Sequence, residues 1–334
     1  LKAIDAPAPM MRNISMFITK IRGIEDAGAF LRRIAALAGL LVLAGCGGKS
    51  PEVVIYTSQD EVYAEPIFKD FEKETGIRVR AVYDSESVKT VGLVNRLIAE
   101  SSNPQCDVFW NNEEFRTRQL LAHGVFRETN AWAELGYRSR RMLINADILS
   151  PVQSPKSFRD VTNIMWRGKV ALAYPMYGTT STHFLVLRQR WGDEAWQAWC
   201  RALVANQPKV VDGNSVAAKL VGRGEAWIGF ADSDDIAAEQ NNGARVIALP
   251  VGDDTLFLAN TVAVVRGAPH PAEAEKFFEY LQRKEVSQRL VDVHALEGAT
   301  LDATTASQGL KVDWDSLLKD LDTATKEMDQ IFLR

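Results

Sequence analysis

Glu52-Val53-Val54-Ile55-Tyr56-Thr57 is the stretch whose reading decides the fold class. It is an almost unbroken run of β-branched and aromatic residues, as a strand buried on both faces requires. Ser58-Gln59-Asp60 turns the chain. The next segment carries Ile67, Phe68 and Phe71 on one helical face and meets Gly76 where a helix would stop. Ile77-Arg78-Val79-Arg80-Ala81-Val82-Tyr83 then alternates as a second strand. Strand, helix, strand in this order is a βαβ unit, which implies a parallel sheet.

Outward from this unit the alternation continues. Residues 88–99 repeat apolar positions at helical spacing, 106–110 read as a short strand, and a helix through Leu120 and Leu121 stops at Gly124. Arg141-Met142-Leu143-Ile144 reads as a strand, and Ser150-Pro151-Val152-Gln153-Ser154-Pro155 as a crossover. A second α/β series follows, with strands at 170–174, 226–231 and 245–249 and helices from about Thr180 and over 193–204, 215–221 and 234–240. Residues 261–265 are expected to return to the first domain. The tail from Pro271 reads as helical, with Phe277, Phe278 and Leu281 on one face. The expected organisation is two α/β lobes, 46–148 together with 261–334, and 149–260.

Upstream, Arg32-Arg33 precede a ten-residue apolar run, Ile34 to Leu43, which ends in Ala44-Gly45-Cys46. Charged, apolar and small residues in that order form a secretory signal, and the run is too short for the roughly 20 residues that span a bilayer. Residues 1–45 are therefore expected to be a signal segment. Residues 1–31 are long for its charged part, so a start called too early is expected, with Met11 or Met16 as candidate true starts. Leu43-Ala44-Gly45-Cys46 resembles the lipobox of bacterial lipoproteins, which implies lipidation at Cys46 and an exported protein tethered to a membrane.

The chain has 334 residues, 39 of them basic and 43 acidic. Six basic residues (Lys2, Arg12, Lys20, Arg22, Arg32, Arg33) against three acidic ones precede Cys46, so the remainder is more acidic than the whole. With no basic block, nucleic acid is not expected as a partner. Cys106 and Cys200 sit in apolar company and read as buried free thiols rather than a disulfide. The four histidines make no metal-binding spacing.

Ligands of open α/β sheets bind beyond the carboxyl ends of the strands. Those ends supply Ser58, Gln59 and Asp60, then Asp84-Ser85, then Trp110, Asn111, Asn112 and Glu113, then Tyr177, Thr179, Thr180, Ser181 and Thr182, then Asp232, Asp234 and Asp235. Tyr177-Gly178-Thr179-Thr180-Ser181-Thr182 opens a helix after a strand. Its unpaired N–H groups and hydroxyls read as an anion cradle, the simpler alternative being a plain helix cap. Asp232, Asp234 and Asp235 at a strand-to-helix junction cap the helix, but three neighbouring carboxylates repel and call for a cation or an amine.

Val53-Val54-Ile55-Tyr56-Thr57-Ser58-Gln59-Asp60, Phe68-Lys69-Asp70-Phe71-Glu72-Lys73-Glu74-Thr75-Gly76-Ile77 and Cys106-Asp107-Val108-Phe109-Trp110 resemble extracellular solute-binding proteins of ABC importers, nearest the ferric-iron-binding group. The resemblance covers about residues 50–330. It implies a type II periplasmic-binding-protein fold: two doubly wound α/β domains joined by a two-strand hinge. It further implies a monomer that delivers its ligand to a membrane ABC permease and performs no catalysis. Iron-binding members carry adjacent tyrosines where this chain has Asp234 and Asp235. A histidine of some members falls on Asp60, and their synergistic-anion loop falls on Thr179 to Thr182. Asp60, Asp234 and Asp235 are thus the candidate metal ligands. The expected ligand is a metal ion with a bound anion, or a zwitterion such as an aminophosphonate. The competing reading is an exported hydrolase, because Asp232-x-Asp234 after an apolar strand resembles the nucleophile loop of haloacid-dehalogenase-type phosphatases. That motif ordinarily opens its domain, whereas here it lies late in the chain.

The tether yields a first prediction. Cys46→Ala is expected to abolish lipid modification and to move the protein from the membrane fraction to a soluble or unprocessed form. A wild-type protein found wholly soluble after cell fractionation would contradict it.

Overall fold

The computed structural model describes residues 50–84 and 90–332. The signal segment, Cys46 and Ser85 lie outside the described residues. Nine strands among the described residues form one sheet: β1 (Glu52–Thr57), β2 (Arg78–Tyr83), β3 (Val108–Asn111), β4 (Trp132–Asn145), β5 (Val170–Ala173), β6 (Lys209–Val211), β7 (Ile228–Asp232), β8 (Val246–Ala248) and β9 (Leu256–Val264). Their order is β2-β1-β3-β9-β4-β7-β5-β6, with β8 also paired to β4. The β1–β2, β1–β3, β5–β6 and β5–β7 pairs are parallel. The central β4–β9 pair is antiparallel, as are β3–β9 and β4–β7. Two parallel wings are thus joined by two long antiparallel strands, which is the two-lobed arrangement with a two-strand hinge.

The helices that cover the wings are α1 (Glu61–Thr75), α2 (Val91–Ala99), α3 (Glu114–Ala122), α4 (Gly178–Trp191), α5 (Asp193–Ala205), α6 (Asn214–Gly222), α7 (Ser233–Asn241), α8 (Pro271–Leu281), α9 (Lys284–Asp292), α10 (Ala303–Ala306) and α11 (Trp314–Phe332). Period-two alternation explains how each wing is covered on both faces. In β1, Val53 and Ile55 pack with Phe68, Phe71 and Phe277 on one face. Val54 and Tyr56 pack with Leu93, Leu97 and Phe109 on the other. In β5, Val170 and Leu172 face Phe184, Trp196 and Trp199, while Ala171 faces Ala217 and Val221. Gly76 ends α1 in the left-handed conformation, φ 70°, and its N–H donates to the Glu72 carbonyl.

Two features depart from the sequence expectation. The strand read at 141–144 begins at Trp132, because polar Arg138 and Arg140 interrupt its apolar pattern while the backbone continues its ladder with β9. A bulge between Glu134 and Gly136 bends this strand. A Cβ at Gly136 would lie 2.6 Å from the Gly298 carbonyl oxygen. Secondly, α11 carries Leu317, Leu321, Ala324 and Met328 into the core formed by residues of β5 and α4–α5. The expectation that everything after residue 260 packs with the first half does not describe this helix. Cys106 and Cys200 are buried free thiols in different cores.

Glu113 braces one wing against the other. It precedes α3, is fully buried, and its Oε2 accepts a hydrogen bond from Thr182 Oγ1 of α4 at 2.9 Å. Burial pushes its carboxyl from the ordinary 4.5 up to about 7, only partly opposed by Arg116 and Thr182. A carboxyl raised on folding adds stability that is complete below about pH 4.5 and is lost as pH rises through about 7. Glu113→Gln keeps the acceptor and removes the titration. Its melting temperature should therefore gain on wild type between pH 5 and pH 8, by up to roughly 3 kcal/mol in free-energy terms. A pH-independent difference between the two proteins would exclude this.

Candidate functional site

Arg138 and Arg140 stand two residues apart on β4 and therefore on the same face of the sheet. Both are buried, and buried guanidinium groups require partners. The Asp232-Ser233-Asp234 segment at the β7–α7 junction supplies them. Arg140 Nη1 donates to Asp232 Oδ1 at 3.0 Å, and its Nη2 donates to Thr180 Oγ1 at 2.7 Å. Arg138 Nη1 donates to Asp234 Oδ2, while its Nη2 lies 3.4 Å from Asp232 Oδ2. That same Nη2 donates at 2.9 Å to the Asn112 carbonyl, on the other side of the cleft. Burial alone would raise the Asp232 carboxyl, but Arg138 and Arg140 outweigh it and hold the group below the usual carboxylate range.

Over this base lies a cavity of about 30 Å³, lined by Asp60, Thr90, Asn112, Arg138, Tyr174, Tyr177, the Gly178-Thr179-Thr180 turn, the Asp212-Gly213-Asn214 turn, Asp232 and Asp235. Five helices bring N-terminal residues to it: α1 through Asp60, α2 through Thr90, α4 through Gly178, α6 through Asn214 and α7 through Asp232 and Asp235. The first amides of a helix have no intrahelical acceptor, so α4 and α6 offer N–H donors to an anion. Against them stand four lining carboxylates, with Arg138 the one lining cation among the described residues. Tyr63, beside this group, feels it too. Burial first, and then Asp234, Asp60 and Asp235, push its phenol up to about 12.

The residues expected from sequence divide into two sets. Asp60, Tyr177, Thr179, Thr180, Asp232 and Asp235 line the cavity. Asp234 lies just behind it, against Arg138. Ser58, Gln59, Trp110 and Glu113 do not line it. Ser58 Oγ lies 2.6 Å from Asn111 Oδ1 and accepts from the Asn112 N–H at 3.0 Å. Gln59 Oε1 accepts from Asn260 Nδ2, whose Oδ1 accepts from Trp110 Nε1, both at 2.8 Å. These side chains lock the ends of β1, β3 and β9 together, and Trp110 is fully buried in the core. Glu113 is the brace described above.

The hydroxyls of Thr179, Thr180 and Thr182 are committed within the protein, and that of Ser181, though unpaired among the described residues, lies outside the cavity lining, contrary to a cradle built on them. Thr179 Oγ1 donates to Asp232 Oδ2 at 2.7 Å and accepts from Asn214 Nδ2 at 2.9 Å. Thr180 Oγ1 donates to Asn214 Oδ1 at 3.0 Å, and Thr182 donates to Glu113. Ser181 is fully buried away from the cavity lining. The backbone amides, not the hydroxyls, are left for a ligand. The three aspartates are also not a bare cation trap: their ligand atoms lie within 4.8 Å of one another, but two of the carboxylates already hold arginines. Sequence reading missed Arg138, Arg140, Thr90, Asp212 and Asn214. The available signal for the arginines was their alternate spacing just before an apolar strand.

The sequence profile of the bacterial extracellular solute-binding proteins matches residues 52–292. The Fe(3+)-binding periplasmic protein of Serratia marcescens is 26% identical, over 80% of this chain and 85% of that protein. Iron-bound HitA from Pseudomonas aeruginosa superposes with a TM-score of 0.72 at 18% identity, over 83% of this chain and 99% of HitA. AfuA from Actinobacillus pleuropneumoniae, with exogenous fructose-6-phosphate bound, superposes with a TM-score of 0.70 at 18% identity, over 85% of this chain and 99% of AfuA. At such identities the superpositions establish the two-lobed fold, while the profile match over most of the chain establishes the family. The chain belongs to the bacterial extracellular solute-binding proteins.

Proposed function

We propose that this protein captures a small hard cation together with an oxyanion in the inter-lobe cleft, as the solute-binding component of an ABC importer. The observation that carries the reading is the presence of both charge signs around one small cavity. Asp60, Asp212, Asp232 and Asp235 face Arg138 and the N-termini of α4 and α6. A lone anion would meet a surplus of carboxylates, and a lone cation would meet Arg138 and helix dipoles of the wrong sign. Carboxylate oxygens are hard ligands, suited to a hard ion. The iron-binding relatives support the same class, with ferric ion as the first candidate.

Asp234 and Asp235 stand where the iron-binding members that the sequence resembles carry tyrosines, and this departure favours a second reading. An aminophosphonate could set its anionic group on the amides and its ammonium among the carboxylates, on opening of the cleft. A hydrolase is not supported. The family consists of solute-binding proteins, and Asp232 is held by Arg140 and Thr179 rather than poised as a nucleophile. Export, a lipid tether at Cys46, a monomeric state and a membrane permease as partner complete the proposal, supported by the residue order at 32–46 and by family membership.

Isothermal titration separates the two ligand readings. Ferric nitrilotriacetate with inorganic phosphate is expected to bind tightly, and phosphate alone weakly. Asp60→Asn and Asp235→Asn should each lower ferric affinity at least tenfold, about 1.4 kcal/mol, since each removes a negative charge from the cation's surroundings. Tight metal-free binding of 2-aminoethylphosphonate, with no ferric binding, would replace the first reading by the second.

A further inference from the structure

We infer that Thr90 is the anion contact of the first lobe, so that one oxyanion is gripped from both sides of the cleft. The inference rests on the binding of an oxyanion proposed above and adds a residue from the opposite wall. Thr90 lines the same cavity as the Gly178-Thr179-Thr180 turn, yet belongs to the wing formed by β1, β2 and β3. It is 1% exposed, and among the described residues its Oγ1 has no hydrogen-bond partner. A buried hydroxyl without a partner costs free energy that a ligand oxygen can restore. Thr90 occupies the cap position of the nine-residue α2, but its side chain makes no capping hydrogen bond to that helix. The hydroxyl is therefore not spent where a cap residue ordinarily spends it.

The backbone around it has the same character. Thr90 has φ 73° and ψ −46°, a conformation unfavourable for a β-branched residue. Of the first amides of α2, that of Leu93 is taken by Asp84 Oδ2 at 3.2 Å, while Val91 and Gly92 come before the first intrahelical hydrogen bond, from Val94 N–H to the Thr90 carbonyl. On the opposite wall the hydroxyls of Thr179 and Thr180 are already committed, so the α4 turn offers backbone amides. Thr90 Oγ1 would complete the set with a side-chain donor from the other wing. An anion bound between them ties the wings together, and its affinity then reports closure.

The test measures inorganic phosphate binding by calorimetry on the whole chain, in the presence of saturating ferric nitrilotriacetate. Thr90→Val keeps the shape and removes the hydroxyl, and should weaken phosphate binding at least tenfold. Thr90→Ser restores the hydroxyl and should bind within a few-fold of wild type. Thr90→Gly removes the hydroxyl while relieving the backbone, so it should bind as poorly as the valine variant and melt no lower than wild type without ligand. Phosphate affinity unchanged in both the valine and glycine variants overturns the inference and leaves the functional proposal standing. A wild type that binds no phosphate with ferric ion present overturns the proposal and the inference together.

Discussion

Two buried arginines set two residues apart on one strand are the constraint on which the rest of the site depends. Arg138 and Arg140 cannot be taken out of water without carboxylate partners, and Asp232 and Asp234 meet them from the β7–α7 junction. This fixes the first turn of α7 against β4. It also recruits Thr179, Thr180 and Asn214, so that the starts of α4 and α6 converge on the same point. Arg138 reaches further, to the Asn112 carbonyl of the other wing. One guanidinium thus bonds to both halves of the molecule at the floor of the cleft.

The location of that pair follows from the sheet. Each wing is a parallel α/β layer with its own cores on both faces, and only β4 and β9 run through both. A side chain in the middle of β4 faces the space between the wings, not the interior of either. Polar residues at alternate positions of an otherwise buried strand are tolerable only in such a place. Besides the stacking of Phe115 of α3 on Trp314 of α11, polar contacts cross between the wings, Glu113 with Thr182 and Arg138 with Asn112 among them. Contacts of this kind suit a joint that opens and closes, because they can be exchanged for water at low cost.

Partnering by arginine also changes what the aspartates mean. Three carboxylates in four residues, taken alone, call for a cation. With two of them held by arginines, the carboxylates that line the cavity are Asp60, Asp212, Asp232 and Asp235, drawn from three separate segments. The cationic part of a ligand would meet side chains, and the anionic part would meet backbone amides. Amides do not depend on side-chain identity, so the same fold accommodates different solutes by changing the residues around them.

Much of the fold was legible in the sequence because its signals are local. The β1–α1–β2 unit follows from the apolar run at 53–56, the helical face of Ile67, Phe68 and Phe71, and Gly76, and each needs only neighbours a few residues away. The family resemblance, too, was carried by contiguous stretches. The sequence also put Asp60, Tyr177, Thr179 and Asp235 at strand ends, and these line the cavity. Tertiary structure alone decided which hydroxyls and carboxylates are already spoken for. Thr179 is separated from Asp232 by 53 residues and Arg138 from Asp234 by 96, and no local pattern encodes such pairings. Trp110 and Gln59 read as ligand residues from their positions at strand ends, until Asn260, distant in the chain, proved to be their partner. The residue types near the cleft were written in the chain. Their roles depended on which partner reached each polar group first, and that is settled by the packing of segments far apart in sequence.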